Sequence, residues 1–152
     1  MIDDSVLVHD WHAVARSSEI GSGEVRQARL LEHDVVLWRD SAHLHAWQDL
    51  CPHRGAQLSG GKVQRDRLVC PYHGWQYDTS GGCVCIPAHP GQPPPARAKA
   101  TVYRVTEKYG LAWVSLGDLA HEIAPFPEWE NPSFRKVAAG PYRFRAHGSP
   151  RD

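Results

Sequence analysis

Cys51-Pro52-His53-Arg54-Gly55 and Cys70-Pro71-Tyr72-His73-Gly74-Trp75 are the two stretches that decide the reading of this chain. Each sets a cysteine two or three residues ahead of a histidine, with sixteen residues between His53 and Cys70. Strand-like segments flank both, so each loop is held on a frame with little slack. The proline after each cysteine restricts the local backbone, and Gly55 and Gly74 let the chain turn tightly and bring amides toward whatever the sulfurs bind. Two thiolates with two imidazoles suit either a tetrahedral zinc ion or a 2Fe-2S cluster in which histidines replace cysteines on one iron. Zinc fingers usually pair Cys with Cys and His with His. Here each loop offers one of each, so each can give one ligand to each of two irons; a zinc-stabilised binding module is the non-redox alternative.

Outward from the loops the sequence reads as strands. Glu24 to Leu31, Val35 to Trp38, His43 to Trp47, Arg67 to Cys70, Trp75 to Tyr77, Cys83 to Ile86, Thr101 to Thr106 and Leu111 to Leu116 are short and bounded by Gly, Asp, Ser or Pro, the spacing of antiparallel sheets joined by hairpins. Gly60-Gly61 and Gly81-Gly82 read as hairpin turns. The best helical segment is one turn near Trp11 to Ala15, and Tyr142 to Arg145 reads as a final strand. The run Pro90-Gly91-Gln92-Pro93-Pro94-Pro95 cannot pair inside a sheet and should run extended over the surface. The 152 residues, 41% of them apolar, make about one domain, of the all-β class and built as an antiparallel β-sandwich.

Charge and composition exclude several classes. Seventeen Lys and Arg balance seventeen Asp and Glu, so nothing draws the chain as a whole to nucleic acid or to an acidic membrane surface. No apolar run approaches the roughly 20 residues of a membrane span, and the acidic start Met1-Ile2-Asp3-Asp4 does not resemble a signal peptide. The expected location is the cytoplasm, where four cysteines are metal ligands or free thiols rather than a disulfide frame. Cys83 and Cys85 share one face of a strand and are read as free thiols. Trp38, Trp47 and Trp113 are read as core. His43 and His45 are read as a solvated strand face, and Arg54 as a loop charge that can meet an acidic partner.

The pattern C-x-H, sixteen residues, C-x-x-H, written here as CPHRGAQLSGG and CPYHGWQYDTSGG, resembles the Rieske 2Fe-2S domain. DWHAVARSSEI, DVVLWRD, IPAHPG and KYGLAWVSLGDL extend the likeness to the amino-terminal domain of Rieske-type non-haem iron oxygenase large subunits, over roughly Asp10 to Phe144. The resemblance implies a Rieske β-sandwich with a small cluster-binding subdomain of two hairpin loops. It implies Cys51 and Cys70 on the inner iron and His53 and His73 on the outer one, with no catalytic residue among them.

It implies electron transfer as part of a mono- or dioxygenase, with a reductase or ferredoxin as donor and a mononuclear non-haem iron domain as acceptor; a homo-oligomer is compatible with this. Residues 1–124 would be the Rieske domain and 125–152 the start of the connection to a catalytic domain absent from this chain, which would then oxygenate nothing by itself. A stand-alone Rieske ferredoxin is the alternative, though PFPEWENPSF fits the oxygenase pattern better. Ala56 and Tyr72 stand where respiratory Rieske proteins carry a disulfide, and Trp75 where they carry a hydroxyl donor. Fewer donors to the sulfurs point to the lower part of the range of about −150 to +300 mV.

Overall fold

The computed structural model describes residues 4–119 and 121–140. It contains a short helix α1 (Ser5–Val8) and ten strands: β1 (His12–Arg16), β2 (Val25–Leu30), β3 (His33–Arg39), β4 (Leu44–Gln48), β5 (Lys62–Gln64), β6 (Arg67–Val69), β7 (Gln76–Tyr77), β8 (Cys83–Cys85), β9 (Val102–Lys108) and β10 (Leu111–Ser115). All pairings are antiparallel. A six-stranded sheet runs β1-β10-β9-β4-β3-β2 and a four-stranded sheet runs β5-β6-β7-β8. The larger sheet curls until its edge strands β1 and β2 approach each other, so much of its edge is covered rather than left to pair with another chain.

Strand β3 shows why two cores form. Its Val35, Val36, Leu37 and Trp38 are all buried, and successive side chains point to opposite faces. Val35 and Leu37 pack inside the curl with Ile20, Leu44, Ala46, Ala112 and Val114. Val36 and Trp38 face the other way, onto Trp47, Leu58, Leu68 and Tyr77, where the small sheet lies against the large one. That second core also holds Cys51 and Cys70. The loops that carry the motif are thereby anchored from below.

Three hairpins close through two residues with positive φ: Leu31 and Glu32 between β2 and β3, Arg65 and Asp66 between β5 and β6, and Tyr109 and Gly110 between β9 and β10. Such turns match the right-handed twist of the strands they join. Only one of the three contains glycine, so composition hides the other two.

Several sequence expectations need correction. Trp11 to Ala15 is not a helical turn: His12–Arg16 is strand β1, paired with β10 through His12 with Val114 and Arg16 with Leu111. The helix lies upstream, where the Asp4 carboxylate accepts from the Val6 amide. Gly60-Gly61 is not the hairpin turn, which falls at Arg65-Asp66; Gly61 is needed because a Cβ there would lie 2.2 Å from the Val69 carbonyl oxygen. Trp113 is half-buried and lines a cleft with Trp11, Tyr109, Phe126 and Trp129. His43 is exposed, but His45 is not a solvated residue: its Nε2 lies 2.8 Å from Asp40 Oδ2 and its ring stacks on Trp38. The proline-rich run lies mostly exposed and opens with a turn before extending. The expected strand at Tyr142 to Arg145 lies outside the described residues. No helix among the described residues is long and apolar enough to cross a membrane.

Candidate metal centre

The two motif loops fold alike. In the first, which follows β4, the Gly55 amide donates to the Cys51 carbonyl and the Cys51 amide to the Ala56 carbonyl, both at 2.8 Å. In the second, between β6 and β7, the Gly74 amide donates to the Cys70 carbonyl at 3.1 Å and the Cys70 amide to Trp75 at 2.9 Å. Gly55 and Gly74 close these turns at φ +71° and +70°, a conformation that costs other residues energy. Each loop thus turns its cysteine inward and carries its histidine to the rim.

Asp49, a buried residue that the motif reading passed over, fixes the start of the first loop. Its carboxylate accepts from the Ser59 amide at 2.7 Å, from the Ser59 hydroxyl at 2.6 Å and from Gln27 Nε2 at 3.3 Å. A buried carboxylate with three donors is satisfied, and it ties both ends of residues 49–59 together.

The four motif side chains come together as two pairs. Cys51 and Cys70 are 2% and 3% exposed, while the His53 and His73 rings lie 4.8 Å apart, one half-buried and the other exposed. An aromatic ring braces each imidazole. Trp75 stacks on His53 at 4.1 Å with a 10° interplanar angle, and Tyr72 lies on His73 at 3.9 Å. The rim around them is exposed and partly apolar: Tyr72 is 64% exposed and Leu50 is also open, beside the charge of Arg54.

Tyr77 completes the floor. Its hydroxyl oxygen sits 3.1 Å from Cys51 Sγ, with both residues buried, and burial together with the neighbouring sulfur pushes its pKa well up. With Cys51 as a thiolate the phenol must be the donor, since a thiolate can only accept. Trp75 brings no hydroxyl, as expected, and the Tyr77 hydroxyl is a separate contact, to the Cys51 side-chain sulfur. No local sequence signal marks this contact: Tyr77 lies in the two-residue strand β7, outside the motif.

Electrostatics favour a cation here. Burial pushes the Cys70 thiol up and the neighbouring Cys51 adds to this, while the amides of Tyr72 and His73 work in the opposite direction. A positive group that holds the Cys70 sulfur would favour loss of its proton. Desolvation, then His73 and Arg54, lowers the pKa of His53, the direction that favours the neutral ring ligation uses. Among the described residues no three or more His, Cys, Asp or Glu side chains are placed to hold a single metal ion. Two sulfurs below and two imidazoles above fit a binuclear group better than one tetrahedral ion. Cys83 packs against the same core, its thiol lies 3.7 Å from the Cys85 carbonyl, and it forms no disulfide.

The Rieske 2Fe-2S domain profile matches residues 10–106. The chain is 39% identical over 112 residues to the oxidoreductase NdmD of Pseudomonas putida, a match covering 72% of this chain and 19% of that protein. It is 38% identical over 143 residues to the methylxanthine N1-demethylase NdmA of the same organism, covering 90% of this chain and 41% of that protein. The solved structure of NdmA superposes with a TM-score of 0.79 at 37% identity, over 86% of this chain and 42% of that one. The chain spans about two fifths or less of the length of these relatives. With the profile covering most of its residues and both motif loops, this chain belongs to the Rieske 2Fe-2S domain family, whose cofactor is a 2Fe-2S cluster.

Proposed function

We propose that this chain is the Rieske electron-transfer portion of a non-haem iron oxygenase, with Cys51 and Cys70 as ligands to one iron and His53 and His73 as ligands to the other. The observation that carries this is the division of four donors into a buried sulfur pair and a rim imidazole pair. A 2Fe-2S cluster held there supplies one-electron transfer at a potential above that of an all-cysteine centre, because imidazole is neutral where thiolate is anionic. The chain's own residues do the rest. The core around Trp47, Leu58 and Leu68 keeps water from the sulfurs. Trp75 and Tyr72 hold the imidazole rings in place, and Tyr77 donates to Cys51. Leu50, Arg54 and Tyr72 form the rim against which a reductase or ferredoxin docks as donor.

The acceptor in this reading is a mononuclear iron domain outside the described residues, with 1–124 as the Rieske domain and 125–152 as the connection toward it. The NdmA match supports the oxygenase side. A match over 90% of 152 residues leaves about 15 outside it, so it takes in the tail at Pro127–Trp129. That tail is built onto the domain: the Phe126 amide donates to the Tyr109 hydroxyl at 2.8 Å, and Tyr109, Phe126 and Trp129 form a cluster of rings.

The test is metal and sulfide content with electron paramagnetic resonance of the reduced protein. The expected result is two irons and two labile sulfides per chain with a rhombic Rieske signal. Cys51→Ser, Cys70→Ser, His53→Ala and His73→Ala should each abolish that signal. An unchanged signal in any one variant removes that residue from the ligand set, and a colourless protein holding zinc overturns the redox reading.

A further inference from the structure

Away from the ligand loops, an open cleft of about 570 Å³ lies where the start of β1 meets the β9–β10 hairpin and residues 121–129, within the usual size of a small-molecule site. Trp11, Tyr109, Trp113, Phe126 and Trp129 line it, and none of them belongs to the core that holds Cys51 and Cys70. The rings of Tyr109, Phe126 and Trp129 stand at 43° to 78° to one another, with centroids 5.7–6.3 Å apart. They form walls rather than a stack. Two of the polar handles are tied to the backbone: the Tyr109 hydroxyl accepts from the Phe126 amide at 2.8 Å, and the Trp113 indole N–H donates to the Lys108 carbonyl at 2.9 Å. What these side chains leave for a ligand is mostly ring carbon.

Charge is balanced over the whole chain, but not in this cleft. Asp10 and Glu122 line it together with His121, and no lysine or arginine does. Asp10 Oδ1 accepts from the Trp11 amide at 2.7 Å and lies 3.8 Å from His121 Nε2, while Oδ2 has no partner among the described residues. Glu122 is exposed and makes no hydrogen bond or ion pair among the described residues. Ring faces are themselves electron-rich, so carboxylates and walls favour the same sign of ligand. Two of these rings already hold ammonium groups. Lys108 Nζ lies 5.1 Å from the Tyr109 ring centroid and Lys136 Nζ 4.5 Å from that of Trp129, and neither lysine lines the cleft.

We propose that this cleft binds a small organic cation of the methylated-ammonium class. Such a cation carries its charge on a surface of methyl groups, has no N–H to satisfy, and gains from contact with ring faces. A primary ammonium brings three donors that need acceptors, which walls of ring carbon do not supply. A metal ion is disfavoured for the same reason: no three His, Cys, Asp or Glu side chains among the described residues converge to hold one. An anion meets two carboxylates, and a neutral apolar molecule makes no use of them. The site is independent of the cluster and of the ligand assignment at Cys51, Cys70, His53 and His73.

The experiment is calorimetric titration of the cluster-loaded protein at constant ionic strength, followed also by indole fluorescence. The probe is choline, and its control is the neutral alcohol in which carbon replaces the nitrogen. Choline should bind, and the alcohol should bind several-fold more weakly. Asp10→Asn with Glu122→Gln should weaken choline several-fold and leave the alcohol unchanged. Trp129→Leu should weaken choline several-fold, and Trp129→Phe should keep most of the binding because it keeps a ring. Iron content and circular dichroism report whether each variant folds; if Trp129→Leu does not, the exposed Glu122→Gln alone should still weaken choline without moving the alcohol. No choline binding at millimolar concentration, equal binding of the alcohol, or choline binding indifferent to both the ring and the carboxylate changes overturns the proposal. None of these results bears on the cluster, whose spectrum tests the electron-transfer reading separately.

Discussion

Replacing Tyr77 by phenylalanine should lower the reduction potential of the centre without removing it. The phenol is fully buried and lies 3.1 Å from Cys51 Sγ; the ring edge rests on Trp47, so Tyr77→Phe keeps the packing and deletes only the hydroxyl. The gap left is smaller than the space a water needs with two or more polar partners, and no other donor replaces the lost one. A hydrogen bond to a charged group contributes roughly 1.5–3 kcal/mol. Reduction makes the sulfurs more negative, so only the part of that energy gained on reduction counts. Taking about half, roughly 0.7–1.5 kcal/mol at 59 mV per 1.4 kcal/mol for one electron, the potential should fall by about 30–60 mV. Film voltammetry at pH 7 on both proteins measures it, with iron and sulfide content as the control. A fully loaded Tyr77→Phe protein whose potential is unchanged or higher would refute the argument, because the hydroxyl would then not be donating to the sulfur.

Two further outcomes follow from the packing and the charges. Gly61→Ala forces a Cβ to within 2.2 Å of the Val69 carbonyl and 2.9 Å of the Leu58 carbonyl. It should cost at least the roughly 1–3 kcal/mol typical of overpacking, read as a lower denaturant midpoint, whereas Gly91→Ala, with nothing within 4 Å, should cost less and only through backbone strain. At Asp40, burial works to raise the carboxyl, but hydrogen bonds from the His43 amide, His45 and the Ala42 amide hold it down to about 2, against an ordinary value of 3.8. A carboxyl depressed in the folded state stabilises it above the unfolded value and loses that contribution as pH falls through the window from about 4 to about 2. The stability gap between wild type and Asp40→Asn should therefore be about 2 kcal/mol near neutral pH and shrink across that window. A gap independent of pH in denaturant titrations would contradict the pairing.

The amino-acid sequence by itself determined the cofactor class and most of the strand list. The motif is local chemistry: Cys51 with His53 and Cys70 with His73 sit within one turn of each other, and the proline and glycine beside each pair shape the turn. The unbroken apolar runs Val35 to Trp38 of β3 and Leu111 to Val114 of β10 likewise report their own burial. What only the tertiary structure decided depends on partners remote in the chain.

Strand β1 exists because β10, almost a hundred residues away, supplies its hydrogen bonds, and local propensity around Trp11 to Ala15 could not reveal that. Strand β5 is a polar Lys62–Gln64 with only β6 beside it, joined by a turn of two residues that do not announce a turn. The phenol of Tyr77 reaches Cys51 across 26 positions. His45 reads as solvated because alternation along β4 says which face it takes, not that Trp38 and Asp40 wait on that face. A sequence displays the chemistry a segment can offer, while burial and hydrogen bonding are settled by whichever distant segment the chain brings alongside it.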